Sequence, residues 1–315
     1  MTIDEQKTAI NKPKILDGRI ARESIKQGLI ARIKTVLESG QATLDVPKLV
    51  IIQVGDRADS NVYIAAKKKF AEEIGVVAEH VLLSETISQD EIVARIDKLN
   101  GDAGVHGIIV QLPLPVGLNR DGIINTIDPK KDVDGLTTAQ NTVDARDIGS
   151  TKIWPATARG ISELLAYYEI PLAGKNVTII GRSALVGKPT AQICTAAGAS
   201  VTVLNSTTSA EDFAVAVRNA DIVVSAVGKP RLVRAEHVRA GQVIVDVGTT
   251  AVSTSDGKRK IIGDVDFTNV SAVIGASGAI TPVPGGVGAM TVLALFENLV
   301  DAWYNEYIIN NNSGE

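Results

Sequence analysis

The stretch GRSALVGKPT, residues 181–190, follows the short apolar run NVTII (176–180). Its glycines and lysine can be compared with a phosphate-binding P-loop, G-x-x-x-x-G-K-[ST]. The comparison fails because five residues, not four, separate Gly181 from Gly187, and Pro189 stands where the metal-binding hydroxyl is needed. A P-loop nucleoside-triphosphate site is therefore excluded.

The same stretch departs from the dinucleotide fingerprint G-x-G-x-x-G, because Ser183 occupies the second glycine position. Its context still fits a nucleotide site, since a β-branched strand precedes it and Pro189 suits the first turn of a helix that TAQICTAAGA (190–199) continues. The stretch predicts a strand, a glycine turn and a helix whose N-terminus and turn can offer backbone N–H groups to a phosphate. An ordinary tight turn between strand and helix is the alternative.

Size and composition bound the class of protein. The 315 residues predict two domains of roughly 150 residues each. A formal net charge of −4 provides no basic surface for nucleic acid, so no nucleic-acid partner is expected.

Localisation and metal content can be predicted in the same way. The polar N-terminus lacks the apolar core of a secretory signal, and no run of about 18 apolar residues predicts a membrane span. The single Cys194 excludes an internal disulfide framework and fits a reducing compartment, so a cytoplasmic protein is expected. The three histidines lack metal-ligand spacing, and we predict no metal site.

Strand-like and helix-like runs alternate along the chain, which predicts an α/β fold with mostly parallel sheets. In the first half they are KLVIIQV (48–54), a helix over 61–74 closed by Gly75, VAEHVLL (77–83), the helix SQDEIVARIDKLN (88–100) and VHGIIVQLPL (105–114). In the second half NVTIIG, SVTVLN, DIVVSAVG and QVIVDVG alternate with helical segments around Gly181 and predict a Rossmann-type sheet. The less periodic segment 141–155 is the best domain boundary, and a last amphipathic helix is predicted over 289–309.

One lysine stands out in SNVYIAAKKKF (60–70). Ser60 is suited to cap this helix, and Tyr63 and Lys67, four residues apart, project from one face. The neighbouring Lys68 and Lys69 rotate away from that face, as a solvated helix surface would have them.

Three further segments have residues suited to a binding site. Gln111 in VQLPLP (110–115) ends an apolar strand, where α/β proteins build their sites. PKKDVDGL (129–136) places two acids beside Gly135, and the Gly- and Pro-rich ITPVPGGVGAMT (280–291) lets backbone approach a ligand closely. Each segment also fits an ordinary turn or strand end.

Taken in order, the motifs S-x-x-Y-x-x-x-K, Q-L-P-L-P, K-D-V-D-G, G-R-S-x-x-V-G-x-P and P-V-P-G-G-V-G-x-M-T resemble the bifunctional methylenetetrahydrofolate dehydrogenase/methenyltetrahydrofolate cyclohydrolase family over about residues 13–305. The resemblance implies an α/β folate-side domain over 1–148, completed by the last helix returning to it, and an NADP-binding Rossmann-type domain over 149–288. It also implies a homodimer joined mainly through the cofactor domains, with the active site in the cleft between the domains.

The resemblance also implies roles for individual residues. Lys67 matches the catalytic lysine, Gln111 the glutamine that positions it, Tyr63 a folate-contacting tyrosine and Asp134 the pterin-binding carboxylate. The loop that lines the folate site matches Pro284, Gly285, Gly286 and Val287, and the cofactor positions match Gly181, Arg182, Ser183, Ser206 and Thr249.

Three stretches depart from the family pattern. PATARG (155–160) has Ala156 and Ala158 in place of the cysteine and second proline of P-C-T-P, GVGAM has Ala289 in place of a proline, and DVGTT has Thr249 in place of an isoleucine. The first two bear on loop rigidity, and the third on side-chain packing near the nicotinamide.

The expected activity is NADP-dependent oxidation of 5,10-methylenetetrahydrofolate, followed by hydrolysis of the methenyl product to 10-formyltetrahydrofolate. NADP rather than NAD is expected because the second strand ends VLNSTT without the acid that binds ribose hydroxyls, while Arg182 and Ser206 suit a 2′-phosphate. The alternatives are another two-domain NADP dehydrogenase of the shikimate type and a catalytically silent folate-binding protein.

Overall fold

The computed structural model describes residues 12–38, 45–142, 152–253 and 259–312. Its strands, in chain order, are β1 (Lys14–Ile15), β2 (Lys48–Val54), β3 (Val77–Leu83), β4 (Gly107–Val110), β5 (Asn176–Ile180), β6 (Ser200–Leu204), β7 (Ile222–Ser225), β8 (Val243–Asp246), β9 (Thr250–Ser253), β10 (Arg259–Ile262) and β11 (Ala279–Ile280). Its α-helices are α1 (Gly18–Glu38), α2 (Ala58–Ile74), α3 (Gln89–Asn100), α4 (Arg120–Ile124), α5 (Thr138–Thr142), α6 (Ala156–Tyr167), α7 (Gly187–Ala196), α8 (Ala210–Asn219), α9 (Phe267–Ile274) and α10 (Val287–Asn312). None of the described helices is long and apolar enough to cross a membrane.

The described chain divides into two compact units. One comprises the described residues up to Arg22 together with Thr157–Thr291, and the other comprises Glu23–Ala156 with the described residues from Val292 onward. Both contain a parallel sheet, which confirms the predicted α/β class.

The first unit is built on a six-stranded parallel sheet in the order β1-β11-β8-β7-β5-β6. Its central strands are Val- and Ile-rich and buried, as parallel strands covered on both faces must be. From β5 the chain runs first to β6 on one side and later to β7 on the other. This reversal between β5 and β7 is the switch point at which Rossmann-type sheets bind nucleotides, at the carboxyl ends of the strands.

The second unit has a three-stranded parallel sheet in the order β3-β2-β4. β2 coincides with the predicted run, and all but its first residue are buried. The carboxyl end of β4 leads into Gln111, whose N–H donates to the carbonyl of Ile52 in β2 at 2.8 Å. Within this unit Phe296 of α10 packs against Phe70 of α2, with ring centroids 5.3 Å apart.

The structure corrects three local predictions. α2 begins at Ala58, so Ser60 lies inside the helix and does not cap it, and Arg57 at the cap position makes no side-chain capping bond. The strand expected over 105–114 is limited to β4, and it is followed by Pro113 and Pro115, which have no N–H to donate to a ladder. The last helix begins at Val287 rather than residue 289.

The predicted domain spans, 1–148 and 149–288, stay predictions. The described residues up to Arg22 belong to the unit with the six-stranded sheet, because β1 pairs with β11. The expected boundary between residues 148 and 149 lies outside the described residues, so it stays a prediction. The prediction that the N-terminus contains no secretory signal rests mostly on residues 1–11, which also lie outside the described residues.

Candidate functional site

Lys67 lies in the middle of α2 and is half-buried, whereas Lys68 and Lys69 on the same helix are exposed. The buried face of α2 contains Ile64, Phe70, Ala71 and Ile74, and Lys67 lies at its margin. Tyr63 lies one turn before Lys67, and 63% of its surface is exposed. The helix therefore presents a tyrosine ring to solvent directly beside a lysine that is partly withdrawn from it.

Gln111 fixes the lysine. The Lys67 Nζ donates to Gln111 Oε1 at 2.8 Å, and Gln111 Nε2 donates to the carbonyl of Leu112 at 2.9 Å. Because Nε2 is used as a donor to a carbonyl, Oε1 must be the acceptor that faces the lysine. The sequence-predicted pair of lysine and glutamine is thus brought together by the structure.

Asp134 lies on a tightly constrained loop of the same unit. Gly135 has φ +69°, and a Cβ there would approach the backbone of Trp154 and Pro155 within 2.8 Å. Asn298 of α10 donates from Nδ2 to the carbonyls of Val133 at 2.9 Å and Trp154 at 2.8 Å. The backbone on each side of Asp134 is therefore fixed, while its carboxylate accepts no hydrogen bond from any described residue.

The ionisable groups of Lys67 and Asp134 influence one another. Burial lowers the pKa of the Lys67 amine, and the Asp134 charge opposes that change. Burial likewise raises the pKa of Asp134, against the opposing charges of Lys67 and Arg120. The two groups make no direct ion pair in the described structure, so this arrangement fits a ligand that donates hydrogen bonds to the Asp134 carboxylate and accepts one from the Lys67 amine.

The loop that contains Pro284 to Val287 belongs to the unit with the six-stranded sheet. Gly285 has φ +106°, and a Cβ on Gly286 would lie 2.6 Å from the Pro282 carbonyl, so both positions need glycine. Pro284 is exposed, but the Val287 side chain is only 2% exposed. The Val287 side chain is therefore closed to a ligand, and its contact with substrate stays a prediction.

The predicted succession of strand, turn and helix is present around Gly181, but the backbone N–H groups without an acceptor are not those at the start of the helix. Ser183 Oγ accepts from the N–H groups of Val186 at 3.2 Å and Gly187 at 3.4 Å, and its carbonyl accepts from Lys188. The first N–H groups of α7 are therefore satisfied internally. The N–H groups of residues 182–185 have no acceptor among the described residues, so the turn rather than the helix end offers donors to an anion.

The turn requires glycine at its first position. Gly181 has φ +117°, and a Cβ there would lie 2.6 Å from the carbonyl of Ala226 after β7. Arg182 and Ser183 are exposed. Closely approaching backbone at the switch point, open N–H groups and an exposed guanidinium together fit the phosphates of a dinucleotide.

Ser206 lies at the same edge of the sheet. β5 and β6 pair with Ile180 opposite Leu204, so Arg182 and Ser206 each follow their strand end by two residues. Ser206 is exposed, and the turn from Asn205 to Thr208 is closed by its own Asn and Thr side chains, without an acid. This pair fits a 2′-phosphate better than a free ribose hydroxyl. Thr249 is exposed after β8, and its N–H has no acceptor within the described chain.

The sequence analysis missed two buried acids near the carboxyl ends of β7 and β8. Asp246 is 3% exposed and Asp264 is fully buried. Burial raises the pKa of Asp246 to about 6, against the lowering effect of the backbone N–H groups of Asp264 and Val265; the charge of Asp264 adds a smaller upward contribution. The sequence could have indicated Asp246, because it is an acid at the end of the apolar run VIVD. It could not have indicated the contacts of Asp264, because its hydrogen-bond partners lie up to 39 residues away. No group of metal-ligating side chains occurs among the described residues.

Comparisons with known proteins cover both units. A family model for the NAD(P)-binding domain of tetrahydrofolate dehydrogenase/cyclohydrolase matches residues 155–307, and the model for the catalytic domain of the same enzymes matches residues 16–134. The bifunctional protein FolD of Lactobacillus helveticus is 42% identical over 287 residues, which cover 91% of this chain and 96% of the relative.

Solved structures agree with the family models. A crystal structure of the bifunctional FolD methylenetetrahydrofolate dehydrogenase/cyclohydrolase from Campylobacter jejuni is 39% identical with a TM-score of 0.83, covering 93% of this chain and 99% of that one. The Trypanosoma brucei enzyme, complexed with NADP and an inhibitor, is 34% identical with a TM-score of 0.84, covering 94% of this chain and 99% of that one.

Proposed function

Because the chain belongs to the tetrahydrofolate dehydrogenase/cyclohydrolase family, we propose that it oxidises 5,10-methylenetetrahydrofolate with NADP and hydrolyses the product to 10-formyltetrahydrofolate, in one-carbon metabolism. The observation that carries the proposal is the hydrogen bond from the half-buried Lys67 amine to Gln111. The Asp134 carboxylate, whose charge acts on this amine, accepts no hydrogen bond from any described residue. Each of these groups has a distinct task in the two reactions.

In the first reaction the methylene carbon loses a hydride and becomes the cationic methenyl carbon. NADP supplies the hydride acceptor, and the residues that would hold it are Gly181, Arg182, Ser183, Ser206 and Thr249. This step requires alignment but no proton acceptor. In this step the residues of this chain orient the folate. The two carboxylate oxygens of Asp134 can accept hydrogen bonds from adjacent pterin N–H groups, and the exposed Tyr63 ring offers a flat apolar contact.

In the second reaction water adds to the cationic methenyl carbon, a C–O bond forms and the water releases one proton. The bond from that carbon to N5 then breaks as the new hydroxyl gives up its proton to become the formyl carbonyl, and N5 takes up a proton, so that the reaction releases one proton in total. Lys67 can accept and return these protons only if a substantial fraction of its amine is neutral. An exposed lysine with a pKa of about 10.4 is mostly charged and is a poor base at neutral pH. Burial lowers the pKa of Lys67 in the required direction, and a cationic substrate would lower it further.

The proposed function is tested by mixing the protein with 5,10-methylenetetrahydrofolate and NADP and recording the absorbance of the reduced cofactor and of the methenyl product. We expect reduced cofactor to accumulate and the methenyl signal to decay as hydrolysis proceeds. No change with either NADP or NAD would refute the dehydrogenase. A response to small hydroxy or keto acids instead of the folate would favour the shikimate-type alternative.

We also propose a cytoplasmic homodimer that binds no nucleic acid and no membrane. The lone Cys194 is buried, in keeping with a reducing compartment, and the net charge of −4 disfavours polyanions. β6 is an edge strand of the six-stranded sheet with Ser200, Thr202 and Val203 exposed, so a second copy can cover it. Light scattering coupled to size exclusion tests this, and a monomer at micromolar concentration would contradict it.

A further inference from the structure

Two buried carboxylates join the loops that follow β7 and β8. Asp264 Oδ2 accepts hydrogen bonds from Ser225 Oγ at 3.1 Å and from the N–H groups of Val227 at 2.8 Å and Gly228 at 3.3 Å. One carboxylate oxygen thus collects three donors from the segment after β7.

Asp246 in turn holds Asp264. Its Oδ1 accepts from the N–H groups of Gly248 and Asp264, both at 2.9 Å, and its Oδ2 accepts from Val265 at 3.0 Å. The Thr250 hydroxyl closes the arrangement by donating to the Gly228 carbonyl at 3.2 Å. The segments 225–228, 246–250 and 263–265 are therefore fixed to one another through two acids.

The packing around these acids leaves no slack. A Cβ on Gly248 would overlap the Asp264 carboxylate, and a Cβ on Gly263 would overlap that of Asp246. Asp264 Oδ1 is buried and has no hydrogen-bond partner among the described residues. A buried polar oxygen without a hydrogen-bond partner is costly, so its retention needs a reason other than stability.

The position of the two acids in the sheet supplies that reason. A dinucleotide crosses the switch point between β5 and β7. The Arg182 and Ser206 side lies at β5 and β6, so the other half of the molecule must lie at the carboxyl ends of β7 and β8. These are the segments that Asp264 and Asp246 fix.

We propose that Asp264, itself held by Asp246, is a positioning residue for the nicotinamide half of NADP and does not contribute to the adenosine half. The proposal rests on the proposed function, because it assigns residues to the NADP of that reaction. Asp264 acts through the peptide groups of residues 225–228 and, with Asp246, keeps the open N–H of Thr249 in a fixed place.

The test compares two ligands by calorimetry on the full chain, NADP and adenosine 2′,5′-bisphosphate, which contains only the adenosine half. Asp264→Asn keeps the side-chain volume but replaces one carboxylate oxygen with an NH2 donor, which would either face the three donors of residues 225–228 or lie in the tight space beside Gly248. We expect NADP to bind about tenfold more weakly, while the affinity for the bisphosphate changes less than about twofold. Asp266→Asn, two residues along the same loop, is the matched control and should leave both affinities unchanged.

Equal losses for both ligands, or no loss for NADP, would overturn the proposal. If Asp264→Asn does not fold, Ser225→Ala removes one of the three donors to Asp264, and an unchanged NADP affinity in that variant would overturn it equally. A wild-type chain that binds neither ligand would instead refute the proposed function, so the two failures are distinguishable.

Discussion

Gln111→Glu places a negative charge beside the Lys67 amine with almost no change in shape. In the structure Gln111 Oε1 lies 2.8 Å from Lys67 Nζ. An opposite charge within roughly 4–6 Å shifts a pKa by about 1–3 units, and a carboxylate stabilises the charged lysine, so the pKa of Lys67 must rise. Asp134 already acts on this amine in the same direction, and burial acts against both.

The expected result is a change in the pH profile of hydrolysis. If neutral Lys67 is the base, the rising limb of the rate against pH moves upward by about 1–3 pH units in Gln111→Glu. At any pH below that limb the rate falls about tenfold for each unit. The hydride step, which needs no proton acceptor, is expected to keep a measurable rate.

The assay uses 5,10-methenyltetrahydrofolate as substrate over a range of pH, with the uncatalysed rate subtracted at each point. Gln27→Glu adds the same charge on the exposed face of α1 and is expected to leave the profile unchanged. An unshifted limb in Gln111→Glu would refute the base role of Lys67. A loss of rate by the same factor at every pH would show that Gln111 acts only through geometry.

Three further predictions concern binding and stability. Asp134→Ala should weaken folate binding by about 1–3 kcal/mol in both reactions, because pterin donors lose their acceptors; a variant that loses hydrolysis alone, or one with altered NADP affinity, would contradict this. Arg182→Ala should weaken NADP binding much more than NAD binding, measured by titration of each cofactor, whereas equal losses would exclude a 2′-phosphate contact. Asp246 has a folded pKa of about 6 against a reference value of 3.8, so its contribution to stability is fully present below about pH 4 and lost as the pH rises through 6. In denaturant unfolding, wild type should therefore gain on the order of 3 kcal/mol relative to Asp246→Asn between pH 7 and pH 4, and a difference independent of pH would show that Asp246 does not titrate in this range.

Local sequence patterns predicted the features that depend on residues close together in the chain. The runs at 48–54, 77–83 and 176–180 are strands with the expected bounds. In the first and third, β-branched residues that are buried on both faces give a clear sequence signal, whereas 77–83 contains only exposed and partly buried residues. The i, i+4 spacing placed Tyr63 and Lys67 on one face, and the strand end placed Gln111 where it reaches the lysine.

The remainder depends on contacts between distant parts of the chain, which periodicity does not report. Asn298 fixes the loop of Asp134 from 165 residues away, and Asp264 collects donors from a strand end 36 to 39 residues earlier. Ser183 was assigned to the cofactor, but its hydroxyl first satisfies the beginning of α7. Such dual use becomes visible only when each donor is matched with its acceptor.

Lys67 is proposed to serve hydrolysis and to be dispensable for hydride transfer. Lys67→Met keeps the apolar stem and removes the amine, and Lys68→Met, on the exposed face of the same helix, is its matched control. The measurement determines the two rates separately in each folded variant, with the methylene substrate for oxidation and the methenyl substrate for hydrolysis. We expect Lys67→Met to lose about 10²- to 10⁴-fold in hydrolysis, to retain measurable oxidation and to accumulate the methenyl compound, while Lys68→Met behaves as wild type. Unchanged hydrolysis of the methenyl substrate by Lys67→Met would contradict the role of Lys67 in proton transfer.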